Sequence, residues 1–289
     1  MRPLFVLVLS IVLCGGAAGA DISFQDDTRH PLDMQETGTR AQDGVTLHEI
    51  TYALADGTRN AATVVTSNAG SSFRPAVLFV HWYGPPAASS NRSQFLPDAI
   101  ELAKAGAVSL LIDTPWSRPE YFQERKREDD FARSVEQVKD LRRALDVLVS
   151  QPNVDRQCVA YVGHDFGAMY GALAAAADLR VRFFVFIAGT QSFSDWFLYG
   201  PKPPEDVRQK FIEEMAPLDP IRYLPKIQGP VLLQFADHDE HVTKERAEAL
   251  AAAAPEPKAV RVYHSDHEIR NDTARRDRLA WLKENLKLQ

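Results

Sequence analysis

Residues 158–167 read Cys-Val-Ala-Tyr-Val-Gly-His-Asp-Phe-Gly, an apolar run of strand length that ends in Gly163-His164-Asp165-Phe166-Gly167. A helical pattern follows directly from residue 168. A strand that ends in Gly-x-nucleophile-x-Gly and passes straight into a helix is typical of a nucleophile elbow, whose glycines let the backbone crowd a strained central residue. The sequence therefore predicts that Asp165 is a nucleophile, although serine is more usual there. The alternative is an Asp that caps the next helix.

Apolar runs of the same kind recur along the chain and alternate with helical patterns, such as the apolar repeat every three to four positions within 135–148. Nearly continuous apolar strands that alternate with helices predict an α/β fold with a mostly parallel, doubly wound sheet covered on both faces. Two alternating segments, 46–52 and 61–66, predict antiparallel strands that begin the sheet. The predicted core strands are 76–80, 108–112, 158–162, 183–187, 231–235 and 259–263.

One long stretch, 190–228, interrupts this alternation and carries several aromatic residues and prolines. Ligands of open parallel sheets bind at the carboxyl ends of the strands, where such an insertion can cover them. We therefore expect a short lid over the sheet edge. A surface loop with one helix, 205–215, is the alternative.

The N-terminus has the features of a secretory signal peptide. Arg2 precedes an apolar run over 4–13, and Ala18-Gly19-Ala20 forms a small-x-small cleavage signature. We therefore expect a signal peptide at 1–20, one α/β domain at 21–289, and a secreted or periplasmic protein with no membrane contact after cleavage. Cys14 raises the alternative of a lipid anchor, but Leu13 before it is bulkier than such signals usually allow. Cleavage would leave Cys158 without an intramolecular disulfide partner.

Composition limits the classes of partner. Of the 289 residues 45% are hydrophobic and 25% charged, which excludes disorder and fibrous repeats. The formal net charge is −6 and no Lys/Arg-rich run is present, so nucleic acid is not an expected partner. A small-molecule substrate is expected instead, and the sequence leaves the oligomeric state open.

A triad needs an acid and then a histidine, each after a later strand. The strand at 231–235 is followed by Asp237 and Asp239, and the strand at 259–263 by His264 and His267. We favour Asp239, because the loop needs a few residues to turn before it presents the acid. We favour His267, because it lies deeper in its loop. Asp237 and His264 remain the alternatives.

The segment His81-Trp82-Tyr83-Gly84 follows the strand at 76–80, where the loop amide of an oxyanion hole is expected. Backbone N–H groups of Trp82 or Tyr83, together with that of Phe166, are the predicted donors, and His81 is expected to be structural. The predicted substrate-binding residues are the aromatic side chains Trp116, Trp196, Tyr199 and Tyr223.

A second reading of Asp237-His238-Asp239-His241 is a metal site, since histidines and carboxylates at short spacing bind zinc in some hydrolases. Strand-end residues so close in sequence point in divergent directions, and the sequence shows no second cluster to complement them. We therefore expect no metal and no cofactor.

Together these residues resemble the α/β-hydrolase superfamily over nearly all of the mature chain. The order of segments and the stretch 219–224, Asp-Pro-Ile-Arg-Tyr-Leu, look most like the dienelactone-hydrolase-like and prolyl-oligopeptidase-like esterases. Those branches carry Cys or Ser at the elbow, whereas Asp165 is similar to the nucleophile of epoxide hydrolases and haloalkane dehalogenases. Those dehalogenases have a halide-binding Trp where Phe166 stands.

The resemblance implies a hydrolase of a small, ester-type substrate that acts through an Asp165-Asp239-His267 triad. An epoxide hydrolase or dehalogenase that forms an alkyl ester on Asp165 is the first alternative, because a carboxylate attacks saturated carbon more readily than an ester carbonyl. A binding protein that has lost its serine is the second alternative.

Overall fold

The computed structural model describes residues 22–25, 30–67, 73–84, 87–200 and 203–289. The predicted signal peptide lies outside these ranges. Within them, no helix combines the length and the apolar character that crossing a bilayer requires.

In the described part of the chain nine strands form one sheet in the order β1-β2-β3-β5-β4-β6-β7-β8-β9. From β5 to β9 every neighbouring pair is parallel, whereas β1, β2 and β3 pair antiparallel at one end. The mostly parallel sheet and its antiparallel start are therefore confirmed. The strands are β1 Gln35–Gln42, β2 Val45–Ala53, β3 Arg59–Thr66, β4 Arg74–Val80, β5 Val108–Ile112, β6 Val154–His164, β7 Val181–Ile187, β8 Val231–Ala236 and β9 Lys258–Tyr263.

The direction of the chain reverses at β4. From β4 it moves to β5 on one side, and from β5 it crosses back to β6 on the other. Right-handed crossovers place the helices of these two moves on opposite faces of the sheet. Accordingly α1 contacts α8, and α3 contacts α4. The helices are α1 Leu96–Lys104, α2 Tyr121–Glu124, α3 Asp130–Val149, α4 Phe166–Ala177, α5 Ser194–Phe197, α6 Glu205–Met215, α7 Lys244–Ala253 and α8 Asp272–Asn285.

This reversal opens a crevice between the carboxyl ends of β4 and β6, which is where open α/β sheets bind ligands. The crevice brings together the loop after Val80 and the loop after His164. The stretch 190–228 contributes α5 and α6, and the predicted helix at 205–215 matches α6. The side chains of Trp196 and Phe197 from α5 are buried against the ring of Phe166.

Candidate active site

Asp165 lies on a strained turn between β6 and α4, with φ 54° and ψ −116°. A Cβ on Gly163 would lie 2.2 Å from the carbonyl oxygen of Gly167, and one on Gly167 would lie 2.3 Å from the carbonyl oxygen of Val80. Both positions therefore require glycine, as an elbow does. Asp165 occupies the N-cap position of α4, but its side chain makes no capping hydrogen bond.

His267 and Asp239 form a buried pair, with 2.7 Å between Nδ1 and Oδ2. The other oxygen of Asp239 accepts hydrogen bonds from the backbone N–H groups of His241 and Val242, at 2.8 Å each. The carboxylate thus orients the histidine so that Nδ1–H donates to it and Nε2 is left as the basic atom. In the described chain this Nε2 is buried and has no hydrogen-bond partner.

The two alternative residues are paired with each other away from this site. His264 Nδ1 lies 3.2 Å from Asp237 Oδ2, and both side chains are exposed. The structure therefore places Asp239 and His267 together, and Asp237 and His264 apart from them.

The carboxylate of Asp165 is fully buried, and its two oxygens differ. Oδ2 accepts a hydrogen bond from the backbone N–H of Tyr83 at 3.1 Å, and the backbone N–H of Phe166 also interacts with the carboxylate. Oδ1 has no hydrogen-bond partner among the described residues. Burial raises the pKa of Asp165 to about 7, although His267 and the two backbone donors favour the charged form.

The pKa values of His267 and Asp239 are shifted in opposite directions by their contact. Burial lowers the pKa of His267, but the hydrogen bond with Asp239 and the charge of Asp165 outweigh it, so the pKa is raised above 6.5. Burial raises the pKa of Asp239, but the hydrogen bond from His267 outweighs it, and the pKa lies below 3.8. Asp239 is therefore ionised at neutral pH, and it stabilises the protonated imidazole.

Of the predicted oxyanion donors, the amide of Trp82 is engaged elsewhere. Its N–H donates to Gln94 Oε1 at 2.9 Å, and Gln94 Nε2 lies 2.5 Å from His164 Nδ1. His164 Nε2 in turn donates to the carbonyl oxygen of His267 at 3.0 Å, and its ring stacks on that of Trp82. Burial lowers the pKa of His164 well below 6.5, so this chain of hydrogen bonds is neutral and joins three loops of the site.

A cavity of about 480 Å³ has His267 in its lining, whereas Asp165 and Asp239 do not line it. Two of the four aromatic residues expected to bind substrate, Trp196 and Tyr199, line it. Trp82 and Tyr83 also line it, as do Phe122 and His241, which the sequence did not single out for this role. The ring of Trp196 lies 5.1 Å from that of His267, between centroids, and its Nε1–H is buried with no partner in the described chain.

The remaining predicted aromatic residues do not line this cavity. Trp116 is 1% exposed, stacks on Tyr170 and donates from Nε1 to the carbonyl oxygen of His81. Tyr223 donates its hydroxyl to the carbonyl oxygen of Pro217, on a different surface. Both rings are held by core or backbone contacts away from the cavity beside His267, so they do not contribute to its lining. His81 is structural as expected, since Thr114 and the carbonyl oxygen of Trp82 lie within hydrogen-bond distance of its two ring nitrogens.

Comparison with known proteins identifies the family of the chain. Residues 130–289, more than half of the chain, match the prolyl oligopeptidase family. No curated protein matches the sequence.

Several solved structures share the fold. An acetyl xylan esterase from Paenibacillus sp. R4 has a TM-score of 0.73 at 18% identity, over 89% of this chain and 90% of that one. Acetyl xylan esterase 1 from Thermoanaerobacterium sp. JW/SL YS485 has a TM-score of 0.72 at 16% identity, over 88% and 89%. A structure from a study of two prolyl endopeptidases has a TM-score of 0.63 at 19% identity, over 85% of this chain and 39% of that one. At such identities the likeness concerns the fold alone.

The resemblance expected from the elbow, the later acid and the later histidine is thus confirmed at the level of the family. The parallel sheet, the strained Asp165 turn and the match over residues 130–289 agree with one another. The chain belongs to the prolyl oligopeptidase family and is an α/β-fold hydrolase.

Proposed function

We propose that the protein hydrolyses a small organic substrate at a saturated carbon, through a covalent alkyl ester on Asp165. The substrate class is an epoxide or a carbon–halogen compound. One observation carries the proposal: Asp165 Oδ2 is held by the amide of Tyr83, whereas Oδ1 is buried without a partner in the described chain. One oxygen is anchored, and the other has no hydrogen bond that an attack would have to break.

In a serine hydrolase the N–H donors of the oxyanion hole are unoccupied before the reaction, because the serine hydroxyl does not hydrogen-bond to them. Here the Tyr83 and Phe166 amides interact with the nucleophile itself before any substrate binds. Attack by a carboxylate on an ester carbonyl would give a reactive anhydride and a tetrahedral oxyanion for which these donors are already used. Attack on saturated carbon creates no oxyanion at that position, so it fits this arrangement.

In the first step Oδ1 of ionised Asp165 forms a bond to the substrate carbon, and the carbon–leaving-group bond breaks with its electron pair on the leaving group. In the second step His267 Nε2 takes a proton from water, and the hydroxide attacks Cγ of Asp165. The resulting oxyanion forms on Oδ2, where the amide of Tyr83 stabilises it, and the amide of Phe166 also interacts with this carboxylate. The ester bond then breaks, and the proton on His267 passes to the departing alkoxide, giving the alcohol.

The cavity offers a donor for the leaving group. Trp196 Nε1–H is buried without a partner among the described residues, on a ring that contacts His267 and His241. A buried N–H left unpaired is costly, so a halide or an epoxide oxygen that accepts from it is favoured. An epoxide oxygen also needs a proton, for which Tyr199 lines the cavity whereas Tyr223 does not.

The test compares unmodified protein, Asp165→Ala and His267→Gln against panels of epoxides, haloalkanes and aryl esters. His267→Gln is expected to stop at the alkyl ester, which intact mass spectrometry detects as a stable adduct on Asp165. The unmodified protein, turned over in H₂¹⁸O, is expected to acquire ¹⁸O in the Asp165 carboxylate. His30→Gln is the control, because residue 30 is exposed and outside the site, and it should turn over normally.

Ester hydrolysis is the second candidate, because several structural neighbours are described as esterases. It predicts turnover of aryl esters with neither an adduct in His267→Gln nor ¹⁸O in Asp165. Hydrolysis that survives Asp165→Ala would refute the role of Asp165 altogether. Absence of turnover and of adducts over all three panels would favour a binding protein.

We also propose that the protein is exported, because Arg2, the apolar run over 4–13 and Ala18-Gly19-Ala20 form a signal-peptide pattern. N-terminal sequencing of the protein recovered from a secreting host is expected to begin at Asp21. A mature protein that still begins at residue 1 would contradict export.

A further inference from the structure

A group of metal-ligating side chains lies at the carboxyl ends of β8 and β9, outside the cavity. Asp237 and His238 follow β8, and His264 follows β9. His238 Nδ1 lies 2.6 Å from Asp237 Oδ1, and His264 Nδ1 lies 3.2 Å from Asp237 Oδ2. The donor atoms of all three residues lie within 4.8 Å of one another. The sequence shows no second cluster beside Asp237 and His238, but the fold brings His264, which follows the neighbouring strand, next to them.

Backbone hydrogen bonds hold these residues in place before any ligand binds. The N–H of Asp237 donates to the carbonyl oxygen of Tyr263 at 3.0 Å, and that of His238 donates to the carbonyl oxygen of Ser265 at 3.1 Å. The N–H of Ser265 donates to Asp237 Oδ1 at 3.3 Å. The two loops thus continue the pairing of β8 with β9, so the ligand-bearing segments need no refolding to meet.

We propose that Asp237, His238 and His264 bind a divalent transition-metal ion of the Zn²⁺ type. Two imidazoles and one carboxylate are the donors that zinc prefers, and water at this exposed position completes four-coordination. Adjacent donors in a tetrahedral zinc site lie about 3.3 Å apart, close to the 3.2 Å between His264 Nδ1 and Asp237 Oδ2. A set with a single carboxylate disfavours Mg²⁺ and Ca²⁺, which select oxygen ligands.

The ion would connect the two loops that carry the catalytic pair. Asp237 lies two residues before Asp239, and His264 lies three residues before His267. A bound ion would therefore link the loop that carries Asp239 to the loop that carries His267, and none of its ligands would come from the cavity. Its role is to stabilise the arrangement of these loops, and the site does not depend on which reaction the cavity performs.

The experiment measures Zn²⁺ binding by the full chain, purified without a polyhistidine tag and stripped with a chelator. Isothermal titration with ZnCl₂ is expected to show saturable binding of one ion per chain, with a rise in Tm, whereas MgCl₂ and CaCl₂ give neither. Asp237→Asn and His264→Gln are expected to weaken binding by about tenfold or more. Both side chains are exposed, and circular dichroism verifies that the variants fold.

His48→Gln is the matched control, since His48 also pairs with a surface carboxylate, at 3.0 Å from Glu36. It lacks a second histidine in that pair, so its removal should leave the titration unchanged. Absence of saturable Zn²⁺ binding, or binding that Asp237→Asn and His264→Gln both leave intact, would overturn the proposal. Neither result bears on the adduct experiment at Asp165, so the two proposals fail separately.

Discussion

Replacing Asp165 by asparagine is expected to stabilise the folded protein at alkaline pH. The side chain is fully buried, and Oδ1 has no partner in the described chain, so the ionised form loses hydration that the protein does not replace. Asparagine has the same shape and no charge, and its carbonyl oxygen can still accept from the amide of Tyr83. The substitution therefore removes the cost of the buried charge with little change in packing.

The size of the effect follows from the pKa of Asp165, about 7 in the folded chain against 3.8 for an unperturbed Asp. At 1.36 kcal/mol per pH unit this difference corresponds to about 4 kcal/mol. Because the folded pKa is raised, the folded state binds more protons than the unfolded state between pH 4 and 7, so the unmodified protein loses stability as pH rises through that window. The advantage of Asp165→Asn should be near zero at pH 4 and complete by pH 8.

Urea unfolding of both proteins at several pH values between 4 and 8 measures this difference. Asp178→Asn is a control of opposite sign. Burial raises the pKa of Asp178, but hydrogen bonds and charge from Arg180 outweigh it and hold the pKa below 3.8. Asn at 178 should therefore destabilise above pH 4, and that loss should shrink in acid. A stability gain in Asp165→Asn that is the same at pH 4 and pH 8, or no gain at pH 8, would refute the reasoning.

Three further outcomes are expected. Asp165 must be ionised to attack, and burial raises its pKa to about 7. The single-turnover rate of adduct formation should therefore fall about tenfold per pH unit below pH 7. A rate that stays constant from pH 5 to 8 would contradict this. Gly167→Ala places a Cβ 2.3 Å from a backbone oxygen, and it should lower the free energy of unfolding in urea by about 3 kcal/mol or prevent soluble expression. In the control Gly38→Ala the nearest neighbour of the new Cβ is 4.0 Å away, so the free energy of unfolding should change by no more than about 0.5 kcal/mol. Gln94→Leu leaves the backbone N–H of Trp82 without its hydrogen-bond acceptor, and it should lower the free energy of unfolding by about 1–3 kcal/mol and also lower kcat. Unchanged stability and kcat would show that the chain of hydrogen bonds through Gln94 is dispensable.

Local pattern was enough to find the parts of the fold that bury apolar side chains. The strand at 108–112 and the helix at 205–215 coincide with β5 and α6, and the other predicted core strands lie within the observed ones. Strand β1, Gln35–Gln42, was missed because most of its side chains are exposed and give no apolar signal. Its pairing with β2 is a backbone property that composition does not reveal.

The candidate site shows the same division. The glycines around Asp165 identified the elbow, because positions where two backbone segments approach closely require glycine, and this requirement is visible in the sequence. The hydrogen bond from the Trp82 amide to Gln94 could not be predicted from the sequence, because it depends on where α1 begins after the loop. Trp116 is aromatic and follows a core strand, but it turns back onto Tyr170, and only the packing decides that.

The anchoring of Asp165 by the Tyr83 and Phe166 amides determines which reagents can recognise this protein. Fluorophosphonates and boronic acids label serine hydrolases by adding to a serine hydroxyl and placing an anionic oxygen on those same two amides. The residue at the elbow has no hydroxyl, and the amides of Tyr83 and Phe166 already interact with its carboxylate, so such reagents are expected to leave the protein unlabelled. A proteome survey with serine-directed probes would therefore overlook it despite its family, and an alkylating probe with a good leaving group is the reagent that would report it.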